Sequence, residues 1–144
     1  MKYTLEIEID RPRSEVVKLF ENPENLKEWQ PGFKSMELIS GEAGTPLSKT
    51  RMVYQMGKRQ VEMVETIQEN TLPDTFHATY EAKGMWNRVD NYFYESGPDK
   101  TRWVTENEFR GSGIMWFMPI LMPGAFKKQS FQFLEKFKAF AEAG

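Results

Sequence analysis

The chain has no cysteine and a single histidine, His77. The first absence removes disulfides, thiolate nucleophiles and cysteine-ligated zinc or iron–sulfur sites. The second leaves no His-rich metal cage, so no metal is expected, and no nucleophile-elbow pattern supports a Ser–His–Asp arrangement. Charge of one sign is lacking too. The formal net charge of −2 gives no general attraction to nucleic acid or to an anionic membrane. Long apolar runs are also missing, since the longest, Ile114 to Pro123, is about half of the ~20 residues a membrane-spanning helix requires. Met1-Lys2-Tyr3-Thr4-Leu5-Glu6 carries charge where a secretory signal would be apolar. These absences point to a soluble, cytoplasmic protein with no nucleic-acid partner, no integral membrane segment and no cofactor.

What is present is apolar bulk. Aromatic residues make up 14% of the 144 positions, and nine methionines add flexible, polarizable volume. That combination suits a bulky core or an adaptable pocket. The length fits one domain, residues 1–144, with no repeat and no linker.

The order of elements is legible from periodicity. Tyr3, Leu5, Ile7 and Ile9 alternate with Thr4, Glu6, Glu8 and Asp10, which marks a strand with one buried face. Ser14-Glu15 opens a short helix carrying Val16, Val17, Leu19 and Phe20. Asn22-Pro23-Glu24 starts a second, because Asn caps free N–H groups and Pro is preset for a first helical position. Leu26 and Trp29 give that helix an apolar edge, and Pro31-Gly32 ends it.

Residues 33 to 110 then read as strands joined by short turns, which implies an antiparallel meander. The segments are Phe33–Ser40, Lys49–Met56, Arg59–Gln68, Phe76–Lys83, Met85–Glu95 and Thr101–Arg110. On Met85–Glu95 the alternation is ambiguous, since Trp86, Tyr92 and Tyr94 oppose Val89 and Phe93. From Phe126 the period changes. Phe126, Phe133, Phe137 and Phe140 recur at helical spacing, and Lys127, Lys128, Glu135, Lys136 and Lys138 occupy the other faces. A helix of ~20 residues spans about 30 Å, enough to cross a small sheet.

With its elements in that order, the chain resembles the START-like (SRPBCC, Bet v 1-like) helix-grip superfamily, in its polyketide cyclase/dehydrase and lipid-transport group. Ile9-Asp10-Arg11-Pro12-Arg13-Ser14-Glu15-Val16 resembles the family's first strand running into its first helix. Asn22-Pro23-Glu24-Asn25-Leu26-Lys27-Glu28-Trp29 resembles its second helix with the usual tryptophan. Phe126-Lys127-Lys128-Gln129 through Leu134-Glu135-Lys136-Phe137-Lys138 resembles its closing helix. The resemblance implies an α+β helix-grip fold: a curved antiparallel sheet of about seven strands, two short helices and one long C-terminal helix. It also implies a cavity. It does not imply a reaction, because function belongs to the site.

The expected role is to bind a small hydrophobic ligand, such as a lipid, polyketide or isoprenoid, between sheet and helix. Pockets of that kind are mostly apolar with a few orienting polar groups. The candidate lining residues are Tyr54, Met56, Met63, Phe76, Tyr80, Tyr92, Trp103, Trp116, Phe126 and Phe133, with Phe137 close by. Asn91, Thr105 and Asn107 join them only if their strands turn that face inward. For most of these residues simple packing against one another is the preferred reading.

A cyclase- or dehydratase-like enzyme in the same cavity is the second expectation. It needs a buried ionisable group, with Arg51, Arg59 or Arg88 as basic candidates and a Tyr or Glu to move protons. No catalytic residue is assigned. Glu62 with Glu65, and Glu106 with Glu108, read first as solvated faces, with one pair facing the pocket as the open alternative. His77 is expected to be exposed or at an edge. A third expectation is a protein-interaction module of the co-chaperone type, centred on Trp116 and Phe117. The Ile114–Met122 segment reads first as core and second as a lid. A homodimer is compatible with all of these.

Overall fold

The structure, a computed structural model, describes residues 1–111 and 123–144. Seven strands form one antiparallel sheet: β1 (Lys2–Ile9), β2 (Phe33–Ser40), β3 (Lys49–Met56), β4 (Arg59–Thr71), β5 (Thr75–Ala82), β6 (Met85–Gly97) and β7 (Lys100–Gly111). Their spatial order is β1-β7-β6-β5-β4-β3-β2. Strands β2 to β7 are thus a continuous meander, and the first strand of the chain docks beside the last. Helix α1 (Arg13–Glu21), a single 3-10 turn (Pro23–Asn25) and α2 (Leu26–Trp29) connect β1 to β2. Helix α3 (Pro123–Ala143) closes the chain and packs against β1 and α2.

The local reasons follow from the sequence. The Asn22 side chain accepts the Glu24 N–H, with Pro23 at the first helical position, so the cap fixes where the turn begins. Gly32 has φ +77°, and its carbonyl accepts the Gln55 N–H over 2.7 Å. A side chain there would place Cβ 2.2 Å from the Gln55 carbonyl oxygen. Only glycine lets the chain leave α2 and enter β2 against β3.

The register settles every strand face. Tyr3, Leu5, Ile7 and Ile9 lie opposite Asn107, Thr105, Trp103 and Thr101, and this row faces the concave side. On β6 the concave residues are Asn87, Val89, Asn91 and Phe93, in register with Phe109, Asn107, Thr105 and Trp103. Trp86, Tyr92 and Tyr94 therefore lie on the convex face, which resolves the ambiguous alternation. The long strands β4, β6 and β7 extend a little further than periodicity suggests.

At one end the concavity is packed solid. Phe20, Trp29, Phe93, Trp103 and Phe137 form an aromatic cluster in which Trp29 meets Phe137 edge-on at 5.0 Å and Trp103 meets it at 5.2 Å. Ile9, Val16, Leu134 and Ala141 complete that core. Offset and edge-to-face pairs of this kind add to the stabilisation from area burial alone. Among the described residues, no helix is long and apolar enough to cross a membrane.

Candidate functional site

Beyond the aromatic cluster the helix and the sheet separate, leaving a cavity of about 250 Å³. Strands β3 and β4 contribute Tyr54, Met56 and Met63, and β5 contributes Tyr80 and Ala82. From β6 come Met85, Asn87, Val89 and Asn91, and from β7 Trp103, Thr105, Asn107 and Phe109. Helix α3 supplies Gln129, Ser130, Phe133 and Leu134, and Gln30 follows α2. The cavity arises because α3 uses two parts of one face differently. Phe137 and Ala141 sink into the core, while Ser130 and Phe133, further toward its N-terminus, bridge a gap.

Six of the residues singled out from sequence line this space: Tyr54, Met56, Met63, Tyr80, Trp103 and Phe133. Asn91, Thr105 and Asn107 join them because β6 and β7 turn that row inward. Phe76 also faces the concave side, but its ring packs edge-on against Phe20 at 5.7 Å. It belongs to the packed end rather than to the lining. Tyr92 needs correction. It stands on the convex face beside the Tyr94 ring, because its neighbour Asn91 takes the inward position. Trp116, Phe117 and the Ile114–Met122 segment lie outside the described residues. Phe126 falls within α3, but its side chain is not among those described.

Four of the polar lining side chains are tied into the protein by the bonds that follow. The Trp103 indole N–H donates to Asn91 Oδ1 over 3.0 Å, and Asn91 Nδ2 donates to the Phe76 carbonyl over 2.9 Å. Tyr54 donates to Gln30 Oε1 over 2.5 Å, and Tyr80 donates to Glu65 Oε2 over 2.8 Å. Burial holds the Glu65 carboxyl above its ordinary pKa, against the opposing pull of the Tyr80 hydrogen bond. Burial also raises both tyrosines, and the nearby Glu65 charge adds to the shift in each. Each phenol therefore stays protonated at neutral pH. Glu65 is a functional candidate for which alternation on β4 favours a solvated face and leaves a pocket-facing position open. Its register partners Thr50 and Tyr80 show that it points inward.

The basic candidates do not reach the cavity. Arg51 pairs with Glu62 over 2.5 Å on the convex face, and Arg88 binds Asp90 there over 2.9 Å. Arg59 is exposed at the β3–β4 turn. His77 likewise departs from expectation. It is on the convex face yet only 7% exposed, because β5 is the central strand and its neighbours crowd it. Its Nε2 lies 3.2 Å from Glu69 and its Nδ1 3.4 Å from Asp90, and the Tyr92 ring leans on it at 5.1 Å. Among the described residues, no cluster of His, Cys, Asp and Glu could hold a metal ion.

Comparison with known proteins agrees with this fold. A model of the family described as polyketide cyclase / dehydrase and lipid transport matches residues 1–142. The Zhui aromatase/cyclase from Streptomyces sp. R1128 superposes with a TM-score of 0.80 at 9% identity, over 99% of this chain and 93% of that one. A START superfamily protein from Mycobacterium smegmatis gives 0.74 at 11% identity, over 93% and 94%. Ara h 8.0201 gives 0.78 at 12% identity, over 100% and 99%. Identities this low establish the shared helix-grip fold alone. Among curated proteins, none matches the sequence.

Proposed function

We propose that this chain, which belongs to the polyketide cyclase / dehydrase and lipid transport family, takes up a small lipophilic molecule between its sheet and α3. The observation that carries the reading is the cavity of about 250 Å³. Interiors normally pack with few voids larger than a water molecule, and this one is lined by Met, aromatic and aliphatic side chains with a few polar tips. Such composition is that of ligand pockets. A lipid-like, polyketide-like or isoprenoid molecule fits it as a carried or sensed ligand.

Native mass spectrometry of the purified protein tests the reading. The expected result is a bound lipophile that is released on denaturation. Val89→Phe places a ring in the cavity from β6 and should abolish uptake while leaving the unfolding midpoint near that of the parent. Equal uptake by parent and variant would remove the cavity from the account.

One observation favours a second reading, a cyclase- or dehydratase-like enzyme using the same space. Tyr80 lines the cavity and is hydrogen-bonded to the partly buried Glu65, and perturbed groups of this type collect at active sites. Holding a flexible chain folded could itself promote ring closure. Conversion of a model poly-β-ketone, lost in both Glu65→Gln and Tyr80→Phe, would support it. Uptake without conversion would leave only the carrier.

A further inference from the structure

The hydrogen-bonding direction of the lining narrows the ligand, given the uptake reading above. A tyrosine hydroxyl has one proton to give, and an amide group has two on nitrogen and none on oxygen. Tyr80 spends its proton on Glu65, and Tyr54 spends its own on Gln30. Asn87 Nδ2 donates to two backbone carbonyls, those of Glu108 over 3.0 Å and Arg88 over 3.3 Å. Asn107 Nδ2 donates to the Thr105 hydroxyl over 2.9 Å and the Thr105 carbonyl over 3.3 Å. Because carbonyls only accept, these bonds also fix which way each amide points.

What remains available on these four residues is oxygen. Neither Asn87 Oδ1 nor Asn107 Oδ1 has a partner among the described residues, and neither is sealed away as a buried unsatisfied atom. Both side chains line the cavity. The Tyr80 oxygen accepts more strongly because its proton leans on a carboxylate, and hydrogen bonds in series reinforce one another. The described lining contains no lysine, arginine or histidine, and Glu65 forms no ion pair with any described residue. The donors left over are neutral ones: Thr105, Gln30, Gln129, the second amide N–H of Asn91, and a Ser130 hydroxyl that shares a hydrogen bond with Tyr3.

We propose that the cavity selects a lipophile carrying hydrogen-bond donors (a phenol, alcohol or amine) over the matching ether and against the matching carboxylate. An ether oxygen offers nothing to four acceptors. A carboxylate would enter without a counter-ion, with Glu65 one hydrogen bond beyond the lining Tyr80, and an unpaired charge in such a site is costly.

Three fluorescent probes that share one ring system test this: 2-naphthol, 2-methoxynaphthalene and 2-naphthoate, titrated at neutral pH. The expected order is naphthol tightest, about tenfold ahead of the methyl ether, as one net hydrogen bond implies, with naphthoate weakest. Tyr80→Phe should bring naphthol toward the ether while leaving the ether's Kd within about twofold of the parent. Equal binding of naphthol and ether, or a preference for naphthoate, overturns the donor preference and leaves the uptake reading standing. No binding of any probe overturns both. The comparison on the parent protein is decisive even if the variant fails to fold.

Discussion

Glu65 on β4 and Tyr80 on β5 lie directly opposite each other, and the phenol donates to the carboxylate over 2.8 Å. Burial holds the Glu65 pKa above its ordinary value. The native state therefore keeps a proton that the unfolded chain releases at lower pH. That contribution to stability is fully present below the unfolded pKa and is lost as pH rises through the folded one. Glu65→Gln keeps an acceptor for Tyr80 without the charge. Relative to the parent, the variant should gain Tm progressively from acid to neutral pH by calorimetry. Parallel Tm curves would show that Glu65 carries no buried charge penalty.

Phe137 is fully buried and touches Phe20, Trp29 and Trp103. Phe137→Ala should cost about 3–5 kcal/mol in denaturant unfolding, from lost transfer energy plus the cavity left behind. A loss below about 1 kcal/mol would mean that α3 does not anchor the packed end.

Trp103 and Asn91 are both buried, and the indole N–H has Asn91 Oδ1 as its partner. Asn91→Ala strands that donor and should cost about 1–3 kcal/mol. Adding Trp103→Phe removes the stranded group, so the double variant should lose less than the sum of the singles. Strict additivity would show that the two do not interact.

Gly32→Ala meets two obstacles, a positive φ and the Gln55 carbonyl 2.2 Å from the new Cβ. The left-handed conformation alone costs about 1–2 kcal/mol for a residue with a Cβ, and the clash adds to it. The expected loss exceeds about 2 kcal/mol, read from the midpoint of urea unfolding. A neutral result would require β2 to leave α2 by another path.

Much of the fold is legible where one face of an element is apolar and the other charged. Tyr3, Leu5, Ile7 and Ile9 alternate with Thr4, Glu6, Glu8 and Asp10, and the structure buries that row. Asn22-Pro23 marks a helical start by capping chemistry, which is local. Alternation fails on β6 because the row facing the cavity includes Asn87 and Asn91, while the convex row carries Trp86, Tyr92 and Tyr94. It fails for Glu65 on the same ground, since a carboxylate reads as solvated until its cross-strand neighbours are known. His77 was misplaced because burial on a convex face depends on the side chains of flanking strands.

The sequence by itself determined the order of elements, the long apolar-faced helix at the end and the absence of thiol chemistry. These depend on residue types and on spacing within single segments, where the periods of 2 and 3.6 act. Which polar side chains turn inward was decided only by the tertiary structure. Inward and outward are properties of strand register, and register is set between segments distant in the chain. The same holds for the cavity: it is the space left when α3 seats Phe137 at one end of a curved sheet and spans the other.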